Sequence, residues 1–189
     1  MRTSPLFRTA ALAVTLLLTL GACASTPPVA APAELASSRD KAVRFDRIVV
    51  SAQPSQDDLS AWRLEGVNRV FNLRTPAEMA DRSRVPFDEA ATVRGLGLEY
   101  LNQPIDGREF PFTPEALEAF AAVMQAQSGK VLLHCATGNR AGWLYAAYAV
   151  KYLGKSPDEA MRSLEPLGHW PLPLQQLTDI PLRVERVEP

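Results

Sequence analysis

From about residue 44 onward, the hydrophobic and polar positions of this chain predict strands that alternate with helices. Runs rich in aliphatic and β-branched residues predict strands within 44–53, 67–73 and 98–105. The run KVLLHC, which begins at Lys130, is apolar throughout, and this is typical of a strand buried on both faces. The chain therefore predicts an α/β fold in three layers, with a mainly parallel sheet flanked by helices.

Capping residues and helical spacing place the helices between these strands. The predicted helices begin near Ser55, Asp88, Thr113, Arg140 and Ser156. Residues 74–86 are polar and predict a loop. The proline-rich tail after His169, where Trp170 follows, predicts little regular structure, and His169 itself is expected to pack or to lie at the surface.

The first residues follow another pattern. Arg2 and Arg8 precede an apolar run of eleven residues, AALAVTLLLTL, whereas a membrane-spanning helix needs about 20. The run is typical of an export signal and ends in LGAC, which resembles a bacterial lipobox. We therefore expect residues 1–22 to be a signal peptide and Cys23 to carry the lipid.

This start implies a membrane location and a simple domain organisation. Residues 23–43, rich in Pro, Ala and Ser, are predicted to be a flexible tether, followed by one folded domain over 44–178 and a tail over 179–189. An exported protein on the periplasmic face, lipid-anchored to a membrane, is the expected result. Ordinary cleavage near Cys23 would instead give a soluble periplasmic or secreted protein.

Composition narrows the classes of partner and cofactor. The formal net charge is −1 and no stripe of Lys and Arg is present, so we expect no nucleic-acid partner. With only two histidines and no clustered acids, no metal site is predicted. The chain has two cysteines, and lipid on Cys23 would leave Cys135 without a disulfide partner. Such a thiol is either a buried inert residue or a nucleophile. The oligomeric state stays open.

The segment VLLHCATGNRAG joins a buried strand, a cysteine, a glycine turn and an arginine at a helix start. Backbone N–H groups of such a turn can form an anion cradle, and the helix N-terminus favours a thiolate. Gly138 permits a backbone angle closed to other residues. Arg140 supplies a planar fork for two oxygens of an oxyanion. We expect the thiol of Cys135 to lie at the mouth of this ring of amides.

The loop HCATGNRAG resembles the active loop of cysteine-based phosphatases. The wider chain resembles the phosphatase-like domain of the beta-lactamase-hydrolase-like family, which has a dual-specificity-phosphatase-like fold. Residues 51–55 are similar to its "sGQPs" opening, 66–74 to its "G-v-x-x-V-I-N-L-R" strand, and 97–106 to its "G-l-x-Y-x-x-x-P-v-d" segment. The resemblance covers about 44–155, nearly the whole predicted domain.

The resemblance implies a phosphatase of the protein tyrosine or dual-specificity type that acts on a phosphorylated small molecule or phosphoprotein without a cofactor. Cys135 would attack phosphorus and form a phosphocysteine, while Arg140 holds the phosphate oxygens. Asp106 would protonate the leaving oxygen, and His134 would support the thiolate. The loop residues that would bind the phosphate with Arg140 are Ala136, Thr137, Gly138 and Asn139.

Several alternatives stay open at this point. Four residues separate Cys135 from Arg140, whereas tyrosine-type phosphatases have five, and four is the spacing of many rhodanese-type sulfurtransferases. Ala141 stands where a serine or threonine usually follows the arginine. A sulfurtransferase that forms a persulfide on Cys135, or a catalytically weak anion-binding module, would therefore also fit. Asp106 precedes a glycine and could belong to an ordinary turn. Arg74, at the end of a strand on the presumed active edge, is a candidate supporting residue.

Overall fold

A computed structural model describes residues 37–126, 128–167 and 173–181 of the chain. The predicted signal peptide, the lipidation residue Cys23, most of the predicted tether, His169 and Trp170 lie outside the described residues. Residues 37–43, placed in the tether from sequence, hold a short 3-10 helix at Arg39–Lys41 and the start of the first strand. The domain boundary predicted at residue 44 thus falls inside that strand.

The sheet has five strands, and four of them run parallel. In chain order they are β1 (Val43–Phe45), β2 (Ile48–Ser51), β3 (Val67–Asn72), β4 (Glu99–Asn102) and β5 (Lys130–His134). Their spatial order is β1-β2-β5-β3-β4, with β1 antiparallel to β2 at one edge. The mainly parallel sheet predicted from sequence is confirmed, and β5 lies at its centre.

Seven α-helices occur among the described residues. They are α1 (Gln56–Leu64), α2 (Pro76–Ala80), α3 (Glu89–Gly95), α4 (Pro114–Ala126), α5 (Asn139–Leu153), α6 (Pro157–Arg162) and α7 (Leu174–Thr178). The predicted N-caps Ser55 and Ser156 both close capping boxes, in which the serine accepts the N–H of the third helical residue. A second 3-10 turn lies at Glu165–Leu167.

Two predicted irregular regions contain helices instead. The loop predicted over 74–86 holds α2, because Thr75 caps it, Pro76 fits the first helical position and Glu78 completes a capping box. The tail predicted to lack structure holds α7, whose Leu174 and Leu177 are buried in the main core. The prolines of this tail argue against a helix in the sequence, but they lie on either side of the α7 residues that pack into the core.

Apolar side chains fill both faces of the sheet, which makes the three layers. One core contains Phe71 and Leu133 of the strands with Phe120 of α4 and Leu144 of α5. The other packs strand residues such as Leu132 against α1 and α3. The carboxyl ends of β2, β3 and β5 meet at one edge, where ligands bind in such folds. Among the described residues, no helix is long and apolar enough to cross a bilayer.

Candidate active site

The loop after β5 is fixed by backbone hydrogen bonds from its neighbours. The N–H of Cys135 donates to Ser51 O at 3.4 Å, and the N–H of Gln53 donates to Ala136 O at 3.3 Å. Gly138 has φ +93°, and a side chain there would lie 3.1 Å from a methyl carbon of Leu167. Only glycine suits this position, where the loop turns into α5.

The sulfur of Cys135 lies beneath the loop rather than at its mouth. Its Sγ accepts a hydrogen bond from the Gly138 N–H at 3.2 Å, so an inward-pointing amide does face it. However, Cys135 has no solvent-exposed area. The expectation of an open thiol is therefore wrong for this conformation: the loop covers the sulfur, and a substrate must part the covering groups.

The guanidinium of Arg140 is held by a carboxylate and a backbone carbonyl. Nη1 donates to Ile105 O at 2.6 Å and to Glu78 Oε2 at 3.0 Å, and Nη2 donates to Glu78 Oε1 at 2.7 Å. A guanidinium has five N–H donors, so these contacts do not use all of them, and the Arg140 side chain also hydrogen-bonds the side chain of Cys135.

Arg140 and Cys135 also interact electrostatically. Burial alone would lower the pKa of Arg140, but the Glu78 carboxylate and the Cys135 side chain raise it above its ordinary value. The structure thus brings the side chains of Cys135 and Arg140 together, while their predicted roles stay predictions.

Glu78, on α2, is a site residue that sequence analysis missed. Burial would raise the pKa of this carboxyl, yet hydrogen bonds from Arg140 and the Thr75 N–H hold it below its ordinary value. Its position in a capping box was visible in the sequence, but a carboxylate at the third helical position caps helices far more often than it binds a catalytic arginine.

We expect Glu78→Gln to lower kcat by about 10- to 100-fold, because the guanidinium would lose the bidentate contact that orients it.

The contribution of the Glu78–Arg140 pair to the stability of the fold is full above the ordinary glutamate pKa of 4.5 and is lost as pH falls through the lowered pKa of Glu78. The wild type should therefore lose melting temperature more steeply than Glu78→Gln from about pH 5 to pH 3. If the melting temperatures of the wild type and Glu78→Gln fell equally with pH, the ion pair between Glu78 and Arg140 would not contribute to stability.

A buried polar network supports the loop from below. His134 Nε2 lies 3.1 Å from Glu89 Oε1, and both side chains are fully buried. Glu89 also accepts from Asn72 at 2.9 Å and from the amide of Gln53. Burial would raise the pKa of Glu89, but His134 and the hydrogen bond from Gln53 lower it. His134 thus acts through a carboxylate 45 positions away, which sequence analysis did not identify.

Arg74 places a second guanidinium under the site. Its exposed fraction is 2%, and its Nη1 donates to Gln53 Oε1 at 2.7 Å. Burial lowers the pKa of Arg74, while the carboxylates of Glu78 and Glu89 oppose that shift. It interacts electrostatically with Cys135 and Arg140. The structure therefore places the predicted supporting residue next to the nucleophile candidate.

Asp106 lies at the site's rim in a tight turn. Its Oδ1 accepts the N–H groups of Arg108 at 2.8 Å and Phe110 at 3.0 Å. These two hydrogen bonds lower its pKa, with a smaller contribution from Arg140. The structure therefore contains the ordinary turn that sequence analysis gave as the alternative for Asp106. The role of proton donor stays a prediction, because a donor must carry a proton that this environment disfavours.

A cleft of about 540 Å³ adjoins the loop. Thr137 and Asn139 line it together with Lys41 from the segment before β1 and with Glu165. Ala136 is half-buried and Ala141 fully buried. Within the described parts of the chain, no group of three or more His, Cys, Asp or Glu side chains could hold a metal ion.

This combination of fold and site defines a class. A parallel sheet whose central strand delivers a cysteine, a glycine turn and a helix-borne arginine is the architecture of phosphatase-like proteins of the protein-tyrosine-phosphatase type. The α/β fold predicted from sequence, cysteine-phosphatase-like with flanking helices, is confirmed.

Residues 41–150 match the family model of the beta-lactamase hydrolase-like protein, phosphatase-like domain. The chain belongs to this family. It is 32% identical over 124 residues to the beta-lactamase hydrolase-like protein of Xylella fastidiosa, which covers 66% of this chain and 27% of that protein. The match thus spans about a quarter of the length of its curated relative.

Solved structures share the fold. A candidate phosphatase from Shewanella putrefaciens CN-32 is 25% identical, with a TM-score of 0.53 over 65% of this chain and 76% of that one. A cysteine-to-serine variant of P. aeruginosa TpbA in complex with phosphotyrosine is 19% identical, with a TM-score of 0.56 over 74% and 83%. PTPMT1 is 21% identical, with a TM-score of 0.59 over 73% and 92%.

Proposed function

We propose that this protein hydrolyses phosphomonoesters through a phosphocysteine on Cys135. One observation carries the proposal: Arg140 is fixed by Glu78, and its side chain interacts through charge and hydrogen bonding with the side chain of Cys135. The guanidinium and the inward N–H of Gly138 suit the equatorial oxygens of a phosphoryl group in transfer. The substrate is a phosphorylated small molecule or a phosphoprotein.

The reaction has two displacement steps. The thiolate of Cys135 attacks phosphorus, an S–P bond forms, the ester P–O bond breaks, and the leaving oxygen takes a proton from Asp106. Water then attacks phosphorus and gives its proton back to Asp106, while the S–P bond breaks and inorganic phosphate leaves. Arg140 and the loop amides hold the phosphoryl oxygens in both steps.

Turnover of p-nitrophenyl phosphate and of a phosphotyrosine peptide tests this activity. We expect steady release of inorganic phosphate. The four-residue spacing favours a second candidate, sulfur transfer, so the same preparation is incubated with thiosulfate and cyanide. Thiocyanate formation with a persulfide on Cys135 and no phosphate release would replace the proposal. Phosphate binding without either turnover would mark an anion-binding module.

The proton-donor role of Asp106 predicts a dependence on the leaving group. Asp106→Asn keeps the oxygen that accepts the two turn N–H groups but removes the acid. We expect kcat to fall about 100-fold on an alkyl phosphate, and much less on p-nitrophenyl phosphate, whose leaving group needs no proton. Steady-state kinetics on both substrates check this, with Glu109→Gln in the same loop as the matched control. Equal losses on both substrates would assign Asp106 to the turn alone.

We propose that the chain is exported and anchored on the periplasmic face through lipid on Cys23. The apolar run of eleven residues and the LGAC motif support this location. We expect the protein to partition into the detergent phase and to incorporate labelled palmitate. Cys23→Ser should abolish both, whereas Cys135→Ser should change neither. Unchanged partitioning of Cys23→Ser would contradict the anchor.

A further inference from the structure

A second cavity, of about 340 Å³, lies at the sheet edge opposite the active loop. It sits where β2 begins, whereas the loop lies where β2 ends. Phe45 of β1 and Ile48 of β2 line it together with Met124 of α4 and Leu153 of α5. The volume is at the lower end of the range for small-molecule sites, and the lining is mainly apolar.

Two tyrosines of α5 line the same cavity. Tyr145 is 1% exposed and Tyr148 is 8% exposed. Neither hydroxyl has a hydrogen-bond partner among the residues that the structure describes. Neither oxygen is among the fully buried side-chain atoms that lack a partner in the described residues, so each hydroxyl reaches the cavity and can donate to a ligand there. Burial raises the pKa of Tyr145 to about 12 and also raises that of Tyr148, which keeps both as donors at neutral pH.

The rim adds two cations. Arg47 is held in place because its Nη2 donates to Met124 O at 2.8 Å, and its charge acts on Tyr148. Lys155 follows α5 and also lines the cavity. Among the described residues of the lining, Asp46 is the acidic one, and it occupies the tight β1–β2 turn at φ +40°, an unusual backbone conformation for a residue other than glycine. The described lining thus offers more donors and positive charge than acceptors.

We propose that this cavity binds a small anionic amphiphile, such as a medium-chain carboxylate. Its apolar body lies against Phe45, Ile48 and Leu153. Its anionic head accepts hydrogen bonds from Tyr145 and Tyr148 and lies near the ammonium group of Lys155. The site is separate from the phosphatase loop and does not depend on the proposed reaction.

Calorimetric titration of the full chain bearing Cys23→Ser, which carries no acyl chain, tests the site. The probe is decanoate, compared with the uncharged decanol and the cationic decyltrimethylammonium. We expect decanoate to bind with one-to-one stoichiometry and about tenfold or more tighter than decanol, because charged hydrogen bonds are the stronger kind. Equal affinity for decanoate and decanol would overturn the proposal, as would the absence of saturable binding.

Variants then locate the ligand. In the same background, Tyr145→Phe and Tyr148→Phe should each weaken decanoate binding about three- to tenfold while leaving decanol unchanged. The exposed Lys155→Gln should weaken it about threefold with no cost to folding. Tyr152→Phe, on the same helix but outside the cavity, and Cys135→Ser should bind as the parent does. If Lys155→Gln and both tyrosine variants bind decanoate normally, the ligand lies elsewhere and the proposal fails.

Discussion

Cys135→Ser is expected to lower kcat on p-nitrophenyl phosphate by about 10⁴-fold or more, down to the background rate. A serine hydroxyl at this position has no base to activate it, because the groups known to interact with the side chain of residue 135 are the Gly138 N–H and the guanidinium groups of Arg74 and Arg140, which are donors. Gly138, Arg140 and Arg74 would still form the anion site. The variant should therefore bind phosphate or vanadate with little change, so that binding and turnover separate.

The second cysteine provides the matched control for this experiment. Cys23→Ser, outside the described residues, should turn over the substrate at the wild-type rate in detergent. If Cys135→Ser kept its activity, or if Cys23→Ser lost it as completely, the nucleophile would have to be sought elsewhere. Melting temperatures of both variants near that of the wild type would exclude loss of the fold.

Arg140→Lys is expected to lower kcat by about 10²- to 10³-fold although it keeps the charge. An ammonium cannot donate to Glu78 and Ile105 on one side and to two phosphate oxygens on the other. The contacts that hold the guanidinium would be broken, and the nearby carboxylate of Glu78 would compete with phosphate for the smaller cation. We expect weaker vanadate binding as well as slower turnover.

Arg63→Lys is the matched control, since Arg63 lies exposed on α1 away from the loop. It should keep kcat and KM within about twofold of the wild type, as surface substitutions usually do. A loss of less than about tenfold in Arg140→Lys, comparable to a surface effect, would mean that the guanidinium fork does not hold the transferring phosphoryl group.

Local patterns sufficed to predict the parts of the site that follow one another in the chain. The apolar strand β5, the glycine at Gly138 and the arginine at the helix start are neighbours in sequence, and each has a strong local reason for its place. The alternation of strands and helices likewise fixes the layers and the parallel sheet. These predictions depend on interactions between residues that are close in the chain, and the sequence alone shows such residues.

The residues that hold the site in place could not be predicted in this way. Glu78 binds Arg140 across 62 positions, and Glu89 contacts His134 across 45. Both acids stand in polar segments that suggest exposed loops and helix caps. Their contacts with His134 and Arg140 form only when the fold brings distant parts of the chain together at one edge of the sheet. The hydrophobic pattern predicts that polar residues lie at the surface. It therefore does not identify buried polar residues such as these two acids, which hold the site in place.

The same reasoning explains the covered sulfur. Sequence places Cys135 at the end of a strand and predicts an amide ring around it, but it does not fix how closely the loop folds down. Because the Gly138 N–H bonds to Sγ and Gly138 packs beneath Leu167, the loop closes over the thiol. In the proposed mechanism, we expect the loop to open before phosphate reaches the sulfur.

Acid quenching during turnover, followed by mass spectrometry of the peptide that contains Cys135, tests the central claim most directly. The wild type is mixed with excess p-nitrophenyl phosphate and quenched within its first turnovers, with Cys135→Ser treated in parallel. We expect one phosphoryl group on Cys135 that disappears when the substrate is exhausted, and none on the serine variant. Phosphate release without any modified Cys135 peptide, or a phosphoryl group on another residue, would contradict the phosphocysteine mechanism.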